Sequence, residues 1–465
     1  MRRTKVVATL GPATDSPQVM ERIIAAGVDV VRLNAAHSGP TELEPRLAAV
    51  RAAASAVGSE IAVLLDLPGP KIRVGEMVQG TVLEDGAAFR LLDEDCIGDR
   101  EHACVTHLGL AGDVHTGDRI LLDDGRIELK VTGAAENEVI TQVVSGGPLS
   151  SNKGVNVPGV TLSVDAITDY DRSVLAWALE ADIDWIGQSF VRSAADVEAL
   201  RALMTNRLIP IVAKIEKHEA IAEIERIILA ADGVMVARGD LAVETAPEQV
   251  PVLQRQIVRA ARDAGRPVVV ATEMLDSMRT RRRPTRAEAS DVANAIFTRA
   301  DAVMLSGETA VGDYPVESVE TMVRIIEAAE KAALPPRPPL EYRGLDDVQT
   351  AVSSAVCELA TDLEAAAIVP LTQSGATAFA VSRHRPESPI VAATPTLRTA
   401  RKLAIAWGVR SVVLDFSDDF ADLLDQVVEA VCDGGFVRTG DRVTLTAGLW
   451  SRTPGGTDFI HVRTA

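Results

Sequence analysis

Two short runs place paired charges where chemistry could be done. In 209–216, IPIVAKIE, an apolar run ends in Lys214 and Glu216, and in 233–240, GVMVARGD, another ends in Arg238 and Asp240. Side chains two apart along a strand share a face, so each run delivers a cation and a carboxylate together. Carboxylate oxygens suit a hard divalent cation such as Mg²⁺, and a Lys or Arg beside it neutralises phosphoryl oxygens. Two structural ion pairs at strand ends would present the same residue types.

Such pairs act together only if their strands end on one face. Apolar runs that alternate with amphipathic stretches predict strands over 5–10, 29–34, 60–67, 184–190, 209–216, 233–240, 267–274 and 301–306. Helices are predicted between them, among them 16–26 with Ser16 as N-cap and Gly27 as stop, and 247–264 stopped by Gly265. Eight strand-then-helix units with near-continuous apolar strands predict a closed (β/α)₈ TIM barrel. The strand ends then carry Thr9, Arg32 with Asn34, Asp66, Ser189, Lys214 with Glu216, Arg238 with Asp240, Thr272, and Ser306 with Glu308. Polar residues on every strand end define a polar cavity on the face where barrels do chemistry.

The repeat is interrupted once. Residues 74–159 are rich in Gly and Asp, with turn signals EDG, TGD, DDG and SGG between strand-like runs. They predict a small inserted β-barrel lid domain, placed over the active face to exclude water. The barrel therefore takes 1–73 and 160–334; PPRPPLEYRG, 335–344, is read as a linker. Residues 340–465, with strands expected over 366–371, 389–393, 411–415 and 442–446, predict an open α/β regulatory domain.

Composition narrows the partners. The chain has 465 residues, 47% hydrophobic, enough for two or three domains. A net charge of −19 with no basic run argues against nucleic acid. No signal-peptide core or spanning segment is read, so no membrane is expected and the location is cytoplasmic. Cys96, Cys104, Cys357 and Cys432 lack CxxC spacing and are read as free thiols. His102, His107 and His115 lack an i, i+4 pair, so no metal site is placed there.

In order along the chain stand TLGPAT, VDVVRLNAAHSG, GPKIRVGE, SNKGVNVPG, SFVR, VAKIEKHEA, GVMVARGDLAVE, ATEMLDSM, PTRAEASDVANA and VMLSGETAVGDYP. Together these resemble pyruvate kinase from Thr4 to Val316, and more weakly to the C-terminus. The resemblance implies phosphoryl transfer from phosphoenolpyruvate to ADP, followed by protonation of the enolate. It implies Glu216 and Asp240 as Mg²⁺ ligands, with Mn²⁺ as a substitute, and Lys214 as the group that stabilises the phosphoryl in flight. Arg32 and Arg73 resemble phosphate-gripping arginines, and the backbone N–H groups of Arg238, Gly239 and Asp240 resemble the substrate carboxylate site. Thr272 falls where the family has a hydroxyl in the proton relay. His37, Lys153 and Asn34 are candidates for the nucleotide side, whereas Asp124 in DDG reads equally as a hairpin turn.

Three positions depart from the common pattern of the family. Ala36 stands where many members have Ser, Lys71 where they have Glu, and Glu273 where they have Gln. Ala36 lacks a hydroxyl ligand for K⁺, and Lys71 brings a fixed ammonium that could replace the ion, paired with Asp66. The expectation is an enzyme that needs Mg²⁺ but not K⁺. The loop Thr372, Gln373, Ser374, Gly375, Ala376, Thr377 precedes a predicted helix, and its hydroxyls, Gly and helix N-terminus can cradle a phosphate; the resemblance implies a site for a phosphorylated allosteric effector there, although plain N-caps would also fit. A homotetramer is implied by resemblance. Another Mg²⁺-dependent enolate enzyme, or a silent paralogue acting as a regulatory subunit, are the competing readings.

Overall fold

Valine, isoleucine and alanine dominate the runs that are buried on both faces. In the computed structural model, which describes residues 2–36, 38–332, 347–448 and 456–465, they form eight parallel strands. These are β1 (Lys5–Thr9), β2 (Val30–Asn34), β3 (Ala62–Leu67), β4 (Trp185–Gln188), β5 (Ile211–Ile215), β6 (Gly233–Ala237), β7 (Val268–Ala271) and β8 (Ala302–Leu305). They close as β1-β8-β7-β6-β5-β4-β3-β2, a TIM barrel. Alternation divides the side chains: Val7, Leu64, Trp185, Met235 and Met304 form an interior cluster, and Val6, Val63, Ile186, Val234 and Val303 pack with the surrounding helices. Ser16 caps the helix Pro17–Ala25, and Gly27 follows it at φ 115°.

Every second strand starts with the same device. Asp29, Asp184, Asp232 and Asp301 stand immediately before β2, β4, β6 and β8. Each backbone N–H bonds the carbonyl of Val6, Val63, Ile211 or Val268 on the preceding strand. Each carboxylate accepts the N–H of that same residue, at 2.8, 2.8, 3.0 and 3.1 Å. An arginine completes each clasp: Arg2 on Asp29, Arg51 on Asp184, Arg201 on Asp232 and Arg385 on Asp301. The buried carboxylates of Asp29, Asp184 and Asp301 need this satisfaction, and in return the clasps, with the half-buried Asp232, fix strand register at the barrel floor.

Between β3 and β4 the chain leaves the barrel for a six-stranded sheet and two short strand pairs, with their own core around Phe89, Leu91, Ile120 and Leu129. The free-thiol expectation fails here for two cysteines. Cys96 and Cys104 form a disulfide, because the turn at Asp99–Glu101 brings their Cα atoms to 5.7 Å; Cys357 and Cys432 form none.

The C-terminal sheet contains β9 (Ala367–Pro370), β10 (Ile390–Thr394), β11 (Val409–Val413), β12 (Arg442–Ala447) and β13 (Phe459–Thr464). Its order is β11-β10-β9-β12-β13, parallel except for the β12/β13 pair. The expected linker at 335–344 lies outside the described residues. Ile405 of the C-terminal domain joins the cluster inside the barrel, and Phe379 meets Trp185 edge-on at 6.5 Å. The barrel floor is thus sealed by that domain. No described helix is long and apolar enough to cross a membrane.

Candidate active site

At the end of β5, Lys214 and Glu216 share a face, with Nζ 3.0 Å from Oε1. The buried ammonium also donates to Ser189 Oγ at 2.7 Å and lies 3.3 Å from Asp66 Oδ2. Asp66, on β3, takes Arg32 Nε at 2.6 Å, and Arg32 reaches Thr9 Oγ1 at 3.2 Å. Residues from β1, β2, β3 and β5 therefore meet in one charged chain. Burial opposes the charge on Asp66, but Lys214 and Arg32 outweigh it and hold its carboxyl below the ordinary range. Burial likewise opposes the Lys214 ammonium, and Asp66 and Glu216 more than compensate. Burial pushes the Glu216 carboxyl up; Lys214 resists this and Asp240 adds to it. One oxygen of Glu216 also accepts the N–H of Phe190 at 2.8 Å.

Arg238 and Asp240 do not share a face. β6 stops at Ala237, and Arg238–Glu244 is a helix, in which residues two apart point about 200° from one another. The Arg238 side chain turns to Asp291 Oδ2 at 2.6 Å, Thr272 O at 2.6 Å and Ala271 O at 3.2 Å. It anchors a turn in which Thr272 and Glu273 both have positive φ, 67° and 53°. A β-branched residue there is strained, of order 1–3 kcal/mol, and strain of this kind gathers at functional sites. The turn holds Thr272 Oγ1 as acceptor of the Gly239 N–H at 2.8 Å and donor to Ala271 O at 2.6 Å.

The expected pairing of Lys71 with Asp66 is replaced by another. Lys71 Nζ lies 2.9 Å from Asp240 Oδ1, because Asp66 is already taken by Arg32 and Lys214. Asp240 adds to the cost of ionising Glu216, and the two carboxylates offer hard oxygen donors, which fits a divalent cation.

The remaining candidates are more dispersed. Asn34 Oδ1 accepts the Ala36 N–H at 3.1 Å, Arg73 donates to Asn152 O at 2.9 Å, and Lys153 pairs with Asp123 Oδ1 at 2.7 Å within the insert. His37 lies outside the described residues. In the C-terminal loop, Thr372 Oγ1 accepts the Gly375 N–H at 2.9 Å, Thr377 Oγ1 meets Thr457 Oγ1 at 2.9 Å, and Gly375 has φ 93°.

Sequence reasoning missed the group at the root of the insert. Buried Glu244 takes Lys217 Nζ at 2.8 Å, Asn156 Nδ2 of the insert at 2.9 Å and His218 Nδ1 at 3.4 Å. His218, Glu219 and Glu244 have the ligand types of a metal site, yet the Lys217 ammonium already supplies the cation there. The only signal in the sequence was a Lys–His pair, Lys217 and His218, immediately after Glu216.

Known proteins match this arrangement along nearly its whole length. The barrel domain of pyruvate kinase matches residues 1–319, and the alpha/beta domain of pyruvate kinase matches 350–463. The chain belongs to the pyruvate kinase family. A pyruvate kinase of Mycobacterium intracellulare is 42% identical over 468 residues, covering 99% of this chain and 98% of that protein. One of Geobacillus stearothermophilus is 43% identical, covering 99% of this chain and 80% of its own length. The solved structure of a pyruvate kinase from Cryptosporidium parvum aligns with a TM-score of 0.90 at 30% identity, covering 100% of this chain and 96% of that one. Membership of the pyruvate kinase family makes the chain a phosphotransferase of glycolysis, with phosphoenolpyruvate and ADP as its substrates.

Proposed function

We propose that this pyruvate kinase activity runs with Mg²⁺, needs no K⁺, and answers to a phosphorylated effector. The observation that carries the K⁺ reading is the Lys71 ammonium 2.9 Å from Asp240, a fixed positive charge where K⁺-using relatives carry a carboxylate. Glu216 and Asp240 would hold the divalent ion, with Mn²⁺ as a substitute. When bound, the ion neutralises phosphoryl oxygens and orients the substrate.

The chain's own groups do the rest. Arg32 and Arg73 grip the phosphate, while the backbone N–H groups of Arg238, Gly239 and Asp240 take the substrate carboxylate. An ADP oxygen attacks phosphorus, the bond to the enol oxygen breaks, and its electron pair stays on the enolate. Lys214, held between Asp66, Glu216 and Ser189, stabilises the charge on the phosphoryl group as it moves. Thr272 then serves as a relay member that passes a proton, through water, to the enolate methylene carbon. Asn34, His37 and Lys153 serve the nucleotide side of the reaction, and the inserted domain, 74–159, closes as a lid.

The domain limits 1–73 with 160–334, 74–159 and 340–465 belong to the same reading, as do a cytoplasmic location and a homotetramer. The effector binds at Thr372, Ser374, Gly375 and Thr377. Pyruvate formation with Mg²⁺ in K⁺, Na⁺ and Tris buffers tests the K⁺ reading: equal rates are expected, and a strong dependence on K⁺ overturns it. Light scattering tests the assembly, with four chains expected and a monomer as the contrary result.

A further inference from the structure

Both legs of the inserted domain grip one face of one short helix. The leg that leaves the barrel carries Lys71, and the leg that returns carries Asn156. They are zipped together, with the Val74 N–H on Lys153 O at 2.8 Å and the Val155 N–H on Ile72 O at 2.9 Å. Lys71 holds Asp240 at 2.9 Å, and Asn156 Nδ2 donates to Glu244 Oε1 at 2.9 Å. Asp240 and Glu244 belong to the seven-residue helix Arg238–Glu244, and helical residues four apart lie about 40° from one another around the axis.

A second bond runs crosswise. Lys217 follows Glu216 directly, and its ammonium reaches Glu244 Oε1 at 2.8 Å, while His218 Nδ1 lies 3.4 Å from Glu244 Oε2. Lys217 and Glu244 are both buried, and such a pair is costly to break once both charges have left water. The elements that carry Glu216 and Asp240 are therefore braced one residue beyond the first and one helical turn beyond the second. At its other end the helix is pinned by the Gly239 N–H on Thr272 Oγ1 at 2.8 Å. A helix this short, held at both ends, moves as one body, so a displacement at Glu244 is felt at Asp240.

We infer that Glu244 is a positioning residue for the divalent-metal site: through the shared helix and Lys217 it sets the separation of Asp240 and Glu216, and through Asn156 it makes that separation answer to the inserted domain. The inference rests on the reading of Glu216 and Asp240 as metal ligands. A brace that served stability alone would leave the metal affinity of the folded protein unchanged, whereas a positioning brace alters it without touching the ion.

Titration of the full chain with Mn²⁺ alone, followed by the electron paramagnetic resonance of the free ion, tests it in wild type, Glu244→Gln, Asn156→Ala, Asp240→Asn and, as a control at the barrel floor, Asp184→Asn. Affinity is expected to fall about tenfold or more in Asp240→Asn and by about threefold to thirtyfold in Glu244→Gln and Asn156→Ala, with Asp184→Asn like wild type. A loss in Asp240→Asn with wild-type affinity in Glu244→Gln overturns the inference and leaves the metal reading intact, and a loss in Glu244→Gln without one in Asn156→Ala overturns the link to the insert. Wild-type affinity in Asp240→Asn overturns the metal reading and the inference together. An equal loss in Asp184→Asn traces the effect to general stability and also overturns the inference. Should Glu244→Gln fail to fold, Asn156→Ala, which removes a single hydrogen bond, decides: weakened Mn²⁺ binding is expected, and wild-type affinity is the contrary result.

Discussion

At the scale of single residues, the substitution with the sharpest consequence is Lys71. Its ammonium is paired with Asp240, so Lys71→Glu sets two carboxylates against each other beside the proposed metal ligands. Steady-state assays are expected to show a variant that depends on added K⁺, unlike wild type; indifference to K⁺ in the variant would contradict this. Arg238 tests a different point. Its fork spans Thr272 O and Asp291, a geometry that an ammonium cannot reproduce. Arg238→Lys is expected to lower kcat by about tenfold or more through the Thr272 turn, with little change in the affinity for Mg²⁺ measured by titration. Spacing of two was enough to place Lys214 beside Glu216, because both follow one strand. The same spacing failed for Arg238 and Asp240, because strand and helix put i and i+2 on different faces and the sequence does not mark where β6 gives way to a helix.

Among the elements, the barrel was legible and the joints were not. Each barrel strand is a short buried run between helix signals, so local pattern locates it. Glu244 is different: Asn156 lies 88 residues away and belongs to the insert, and nothing local announces their meeting. Glu244→Gln breaks a buried ion pair with Lys217, and removing one partner of such a pair costs about 3–5 kcal/mol. Denaturant unfolding is expected to show a loss of that order, against about 1 kcal/mol for Asn156→Ala, which removes one hydrogen bond. Equal, negligible losses would mean that the root of the insert is not held here. The floor clasps had a sequence signal that went unread, an Asp immediately before every second strand. Its meaning needs the register of the neighbouring strand, because each carboxylate bonds a residue 21 to 121 positions away.

For the whole molecule, the barrel floor joins the catalytic unit to the C-terminal domain, and Lys5 reports on that joint. Its buried ammonium donates to Val409 O of the C-terminal sheet at 2.6 Å. Burial, partly offset by Asp29, lowers its pKa from 10.5 to about 8. Between those values the unfolded chain holds a proton that the folded chain has released, so stability rises with pH across the window. Relative to Lys5→Met, wild type is expected to gain up to about 3 kcal/mol from pH 8 to 10.5 in denaturant unfolding; a flat difference would contradict it. At the other end of the barrel, phosphoryl transfer converges on Lys214, buried and held by Ser189, Asp66 and Glu216. The most direct measurement is ADP-dependent pyruvate formation from phosphoenolpyruvate with Mg²⁺, comparing wild type with Lys214→Met. Wild-type turnover that falls about a hundredfold or more in kcat, with KM little changed, is the expected result; undiminished turnover in a folded Lys214→Met would contradict it.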